Sequence, residues 1–228
     1  MPSTPVEQSP SSNWGRVYAR AVHLFGLTGG IASGKSAVGA RLRERGVPVV
    51  DADVLAREVV AKGTDGLAEV VRAFGEGVLL PGGELDRKAV AALVFTDDAK
   101  RKALNAIVHP RITALTLARA DELRQKGEPL ACYEAALLVE NGVADAFRPL
   151  VVVSAPEDVQ VARAAARDAS TADEARARIR AQMPLAAKVK LADFVIDNTG
   201  TLADLRAAAD RTLDAICARV GVDATRYG

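Results

Sequence analysis

The chain has almost no net charge, two cysteines and no long apolar run. Thirty Lys and Arg stand against twenty-nine Asp and Glu, a balance of +1. A nucleic-acid binder usually carries a basic surplus, so this balance argues against such a partner. A membrane-crossing helix needs about 20 apolar residues in succession, and the apolar runs here stop far short of that. Cys132 and Cys217 each fall in an apolar segment, one strand-like and one helical. They read as buried thiols rather than a disulfide, which fits a reducing cytoplasm. The opening "MPSTPVEQSPSSNWGRVYAR" is rich in Ser and Pro and lacks an apolar h-region. It does not read as a signal peptide, and residues 1–20 are expected to form a flexible extension. Internal repeats are absent too. What remains is 228 residues, 49% of them apolar, enough for one large domain or a core with a smaller inserted one.

The pattern along the chain is that of an α/β protein. "AVHLFGL" is a buried strand ending at a glycine-rich turn. "SAVGARLRERG" has helical spacing and stops at Gly46, a C-cap candidate. "VPVVDAD" is a second strand closed by acids. Strand, loop, helix and strand make a βαβ unit, which implies parallel pairing. From about Val54 to Gln125 only helical spacing appears. "PLACYEAALLV", "PLVVVSA" and "DFVIDN" then resume and close the sheet, with a charged helical pair before the last strand. "TLADLRAAADRTLDAICARV" is an amphipathic helix that should cover one sheet face.

Gly29 to Ser36 reads G-G-I-A-S-G-K-S and satisfies the P-loop pattern G-x-x-x-x-G-K-[ST]. Glycines let the backbone curl so that successive N–H groups point into one hollow. The helix beginning near Gly34 adds its positive end. Gly30, Ile31, Ala32, Ser33, Gly34, Lys35, Ser36 and Ala37 are the expected cradle for the phosphates of ATP. Lys35 sets an ammonium on the outer phosphates, and Ser36 offers a hydroxyl to Mg²⁺. A base-reading Asn-Lys-x-Asp is lacking; "IDNTG" at the last strand is not one. The helical insertion and the Arg-rich pair fit a small-molecule kinase, which needs an acceptor pocket and a lid against water.

Asp51 and Asp53 follow the second strand, which is expected beside the P-loop strand. In an extended segment both carboxylates would share a face, and a carboxylate can orient an attacking hydroxyl and take its proton. The competing role for Asp51 is capping the next helix, solvation or a place near the metal. Gln160, Arg163 and Arg167 share one helical face. Arginine forks there would stabilise a phosphoryl group in transfer, the alternative being a solvated helix face. Arg176, Arg178 and Arg180 read as solvated charges. His109 precedes Pro110, which predicts a helix break with a structural histidine at it.

Taken together these motifs resemble the dephospho-CoA kinases, from about Leu24 to Val220. The resemblance rests on "GLTGGIASGKS", "DADVLAREVV", "LDR", "LNAIVHPRI", "ALLVENG", "QVARAAARD" and "ADFVIDNTG". The P-loop is generic; the His-Pro segment between the DAD and ALLVE elements is much more specific. The resemblance implies a P-loop NTPase fold: a parallel sheet of about five strands flanked by helices, with an α-helical substrate domain and a small helical lid. Those parts correspond to a core over 21–55, 129–155 and 191–228, a substrate domain over 56–128 and a lid over 156–190. The implied reaction is attack of the ribose 3′-hydroxyl of dephospho-CoA on the γ-phosphate of ATP. The resemblance makes Asp53 the base, and Arg163 and Arg167 phosphate contacts. It makes Arg57, His109 and Arg111 acceptor-side candidates beside the retained Glu140. Asn198 falls where the family keeps its adenine-side loop, a simple turn being the equal alternative.

Three departures from the family pattern stand out. Ala32 replaces a common glycine, which would strain the loop if φ there must be positive. Ala37 replaces a common threonine, with Ser36 still supplying the metal hydroxyl. Ala136 and Val139 replace a proline and an aromatic before Glu140, leaving the path of that loop open. The alternatives to this reading are a P-loop kinase of another acceptor, such as a nucleoside monophosphate, and a non-catalytic nucleotide-binding module. The intact Lys35, Ser36 and acids argue against the second.

Overall fold

Strand β1 (His23–Gly29) is buried at every position after its first, as a central strand covered on both faces must be. The computed structural model describes residues 22–95 and 97–228, so the extension anticipated over 1–20 lies outside the described residues. β2 (Val49–Asp51), β3 (Leu130–Glu134), β4 (Leu150–Ser154) and β5 (Phe194–Asp197) complete a five-stranded sheet in the order β2-β3-β1-β4-β5. The pairings of β1 with β3 and β4, and of β4 with β5, are parallel. β3 and β4 are apolar runs buried almost throughout, whereas β2 and β5, at the two edges, are only partly covered. With helices flanking it and a P-loop at the end of its central strand, this is the P-loop NTPase fold.

The order corrects one expectation. β2 does not lie beside the P-loop strand, because β3 inserts between them. The connection after β1 passes over the gap that β3 later fills. A second correction follows from the same turn. Asp53 is not in an extended segment but in the first turn of a helix (Ala52–Glu58), so it does not alternate with Asp51 across a pleat.

The described residues divide into two compact units, one running to Val50 and resuming at Leu123–Gly228, the other Asp51–Glu122. In the first, α1 (Lys35–Glu44) closes with Gly46 N–H on Arg43 O and Val47 N–H on Leu42 O. The last long helix (Leu202–Val220) opens on a capping box between Thr201 and Asp204. Its Leu205, Ala209, Leu213 and Ile216 pack with Val38 and Leu42 of α1 against Phe25, Leu27, Val151, Val153 and Ile196 of the sheet. Cys132 and Cys217 are buried and not disulfide-bonded, and burial pushes the Cys217 thiol up.

The second unit is helical. It holds α2 (Ala52–Glu58), α3 (Asp65–Phe74), α4 (Arg87–Phe95) and most of α5 (Asp98–Gln125). Its core gathers Val59, Val60, Val70, Val78, Val90 and Ile107. Here the sequence reading is again corrected: Pro110 does not break a helix but lies inside α5. Proline removes the amide that would bond to Ala106 O. Ile107 anchors the same turn in the core, and the Arg111 guanidinium adds a bond to Ile107 O at 2.7 Å. Packing thus holds a helix that local preference would end.

Candidate functional site

The glycine-rich loop leaves β1 at the middle of the sheet and feeds α1. Gly34 takes φ 101° at the helix entrance, where a Cβ would stand 2.1 Å from Asn198 Nδ2. Glycine is required there on both counts. Ala32 has φ 55°, the left-handed region that the sequence reading marked as the condition for strain. The first two amides of the helix, those of Lys35 and Ser36, lack intrahelical acceptors, while Ala37 N–H bonds Gly34 O at 3.0 Å. Lys35 is partly buried and Ser36 exposed. Amides at a helix N-terminus, an ammonium and a free-standing hydroxyl are the donor set of a phosphate and divalent-cation site. Those residues therefore fit ATP and Mg²⁺.

Neighbouring elements hold this loop in shape. Asn198 is buried and donates from Nδ2 to Ser33 O at 2.8 Å. Its own amide bonds Ser154 O, continuing the β4–β5 ladder by one residue. Asn198 is thus a brace for the loop as well as a residue just beyond β5. Ile31 N–H donates to Gln182 Oε1 at 3.2 Å. Gln160, 3% exposed, donates to Ala155 O and keeps Oε1 beside Gly30 without a protein partner. Ser33 Oγ is likewise buried without one. A cavity of about 950 Å³, lined in part by Gly30, Gln160, Arg180, Gln182 and Thr199, opens at the carboxyl ends of β4 and β5.

Two residues that sequence reasoning missed carry much of the electrostatics. Glu134, last in β3, accepts from Lys35 Nζ at 2.6 Å. Lys188 lies in a short helix (Leu185–Val189), fully buried, and pairs with Glu140 at 2.7 Å. Its ammonium also reaches Ala136 O at 3.0 Å and Gly29 O at 3.4 Å, so all three protons have acceptors. Glu140 further accepts from Met183 N–H at 3.3 Å. Glu140 and Lys188 thereby fix the start of the glycine loop and the segment after β3 whose path the sequence left open. The signal for Glu134 was an acid closing an apolar run. Lys188 gave none, since its neighbours look like any solvated helix.

The arginine helix is α6 (Glu157–Asp168), followed by α7 (Ala172–Arg180) with a Thr171–Glu174 capping box. Gln160, Arg163 and Arg167 share its face as expected from spacing. Gln160 is buried, Arg163 is partly buried with Nη1 3.4 Å from Asn198 O, and Arg167 is exposed. Arg167 is paired with Asp168 at 2.8 Å, and Arg178 joins the same carboxylate at 2.6 Å. Arg178 is thus exposed, as its sequence context suggested, and ion-paired as well. The Arg167 and Arg178 bonds hold the Asp168 carboxyl well below the usual carboxylate range.

In the helical unit Asp51 caps α2, accepting from Asp53 N–H at 2.8 Å and Val54 N–H at 3.3 Å. Capping was one of the roles open to it. Asp53 and Arg57 lie four apart, on one face of α2, and both are exposed. His109 is exposed on α5, whereas Arg111 is partly buried and paired with Glu69.

A family model described as Dephospho-CoA kinase matches residues 23–204. The Dephospho-CoA kinase of Geobacter sulfurreducens is 48% identical over 184 residues, which are 81% of this chain and 93% of that one. A solved structure described as TT1252 from Thermus thermophilus is 40% identical, with TM-score 0.75, covering 88% of this chain and 98% of that one. A structure of Dephospho-CoA kinase from Campylobacter jejuni is 25% identical, with TM-score 0.58, covering 85% and 97%.

Proposed function

The chain belongs to the dephospho-CoA kinase family, and we propose how its residues divide the work of that enzyme. The reaction is phosphorylation of the 3′-hydroxyl of dephospho-CoA, the last step of coenzyme A synthesis. The observation that carries the assignment of the donor side is the loop itself: left-handed turns at Ala32 and Gly34 leading into a helix whose first residues are Lys35 and Ser36.

In this reading ATP is the donor. Lys35 and the amides between Gly30 and Ala37 hold its outer phosphates, apart from those of Ile31, Ser33 and Ala37, which bond to Gln182, Gly30 and Gly34. Ser36 would hold Mg²⁺, which when bound supplies positive charge to the transferring group. Asn198 keeps the loop in register from beneath. Asp53 orients the acceptor hydroxyl and takes its proton as the new bond to phosphorus forms. Arg163 and Arg167 meet the charge spread over the equatorial oxygens. Arg167 reaches it by exchanging Asp168 for phosphate, leaving that carboxylate with Arg178. Arg57, His109 and Arg111 serve the diphosphate-bearing acceptor, Arg111 being steered by Glu69. Glu140 contributes through Lys188, as a support for the loop after β3. Organisation into a core, a substrate domain and a lid follows the same division. Among the described residues no helix is long and apolar enough to cross a membrane, and a cytoplasmic metabolic role is the reading that goes with the family.

The acceptor atom is the point to test. Incubation with ATP and dephospho-CoA should give ADP and a new 3′-phosphomonoester in the phosphorus NMR spectrum. The 3′-deoxy analogue should release no ADP above the background rate. A product phosphorylated elsewhere, or equal turnover of the analogue, would remove this reading.

A further inference from the structure

One buried carboxylate beneath the loop has no part in the reaction as described. Glu134 ends β3 with its side chain 2% exposed. Oε1 accepts from Lys35 Nζ at 2.6 Å, and Oε2 lies 3.4 Å from Arg43 Nη2. Helix α1 makes room for it: a Cβ at Gly39 would stand 2.4 Å from Glu134 Oε2. A strand end, a notch in a helix and two cations on that helix thus form a built seat for one carboxylate. Lys35 and Arg43 stand two turns apart, with Gly39 between them.

We propose that Glu134 is a positioning residue, holding the Lys35 ammonium until nucleotide phosphates arrive, with Arg43 taking over the carboxylate as Lys35 turns to them. The proposal rests on the reading that Lys35 is a phosphate ligand. A carboxylate so far from water is strongly unfavourable without a counter-charge. Were Lys35 its sole partner, the nucleotide would have to offset that loss from its own binding energy. Arg43 removes the loss. Its side chain is 45% exposed and its contact with Glu134 is the longer of the two. A guanidinium on a flexible stem has the slack to close to the 2.7–2.9 Å typical of ionic hydrogen bonds. Lys35, by contrast, is 12% exposed and already close. The pairing also keeps the ammonium from straying while the loop is empty, so that it meets phosphate from a defined position.

A plain structural ion pair would behave differently. In that case Lys35 never leaves Glu134, and Arg43 has no bearing on nucleotide affinity. The test is a double-mutant cycle read by calorimetric ADP binding, with steady-state kinetics alongside. Arg43→Gln should weaken ADP binding about tenfold in the otherwise unchanged protein, and less than about twofold in a Glu134→Gln background. Arg43→Lys should restore most of the affinity. In kinetics, Arg43→Gln should raise KM for ATP more than it lowers kcat. Arg43 is half exposed, so its variants should fold; they decide the matter even if Glu134→Gln proves unstable. Equal losses in both backgrounds, or no loss in either, would overturn the proposal. If Lys35→Ala binds ADP as tightly as the unaltered protein, the phosphate-ligand reading itself fails, and a loss there with no Arg43 effect overturns the hand-off alone.

Discussion

Ala32 carries a backbone angle that suits glycine, at φ 55° in the loop that defines the site. A side chain in the left-handed region costs roughly 1–2 kcal/mol. Its methyl recovers part of that by packing beside Val161, Ala164 and Ala175. Ala32→Gly should therefore stabilise the protein modestly, by about 0.5 kcal/mol after the added freedom of the unfolded chain is counted. Urea unfolding would measure this, and a clear loss of stability would mean that the methyl's packing outweighs the strain. The sequence raised the condition at Ala32, because a local pattern fixes where the loop must curl. The place of Lys35 and Ser36 at the start of α1 was legible for the same reason. Glu134 and Lys188 were not, because their partners lie 99 and 48 residues away in the chain. Pairing at such distances leaves no periodic mark.

At the level of elements, the strands and helices follow apolar spacing closely, and the failures come where tertiary packing intervenes. Pro110 should end a helix, yet Ile107 and the Arg111 bond keep α5 intact through it. The order of the strands was not legible even for the first βαβ unit, since nothing in β2 reveals that β3 will slide in between it and β1. The final long helix (Leu202–Val220) shows its inner face plainly in sequence, but not its charged seam with α1. Asp210 accepts from Arg41 at 2.8 Å and pairs with Arg45 at 3.0 Å. The Arg41 bond, opposed by burial and aided by Arg45, holds its carboxyl below the usual range. A lowered folded-state value means the stabilisation is present above the unfolded value, about 4. It is lost as pH falls through the folded one. Asp210→Asn should thus lower Tm by about 2–4 °C at pH 7, a partly exposed pair being worth about 1 kcal/mol. The gap should close as pH falls below about 4. A gap that stays constant across that range would mean the charge of Asp210 contributes nothing.

Over the whole molecule, a sheet-centred unit supplies the glycine loop and its supports, and a helical unit with its own valine-rich core presents Asp53, Arg57 and His109 to solvent. Fold and reaction were both legible, the first from alternating strands and helices, the second from motifs in a fixed order. The roles proposed for single side chains toward the acceptor come only from resemblance, since an exposed acid or histidine on a helix has no local signature. Among these proposed roles, that of Asp53 as base would carry the chemistry. The decisive measurement is turnover of Asp53→Asn with saturating ATP and dephospho-CoA, beside its calorimetric affinity for ADP. The account predicts a fall in kcat of about 10²–10⁴ with nucleotide affinity within about twofold of the unaltered protein. Turnover near that of the unaltered protein would contradict it.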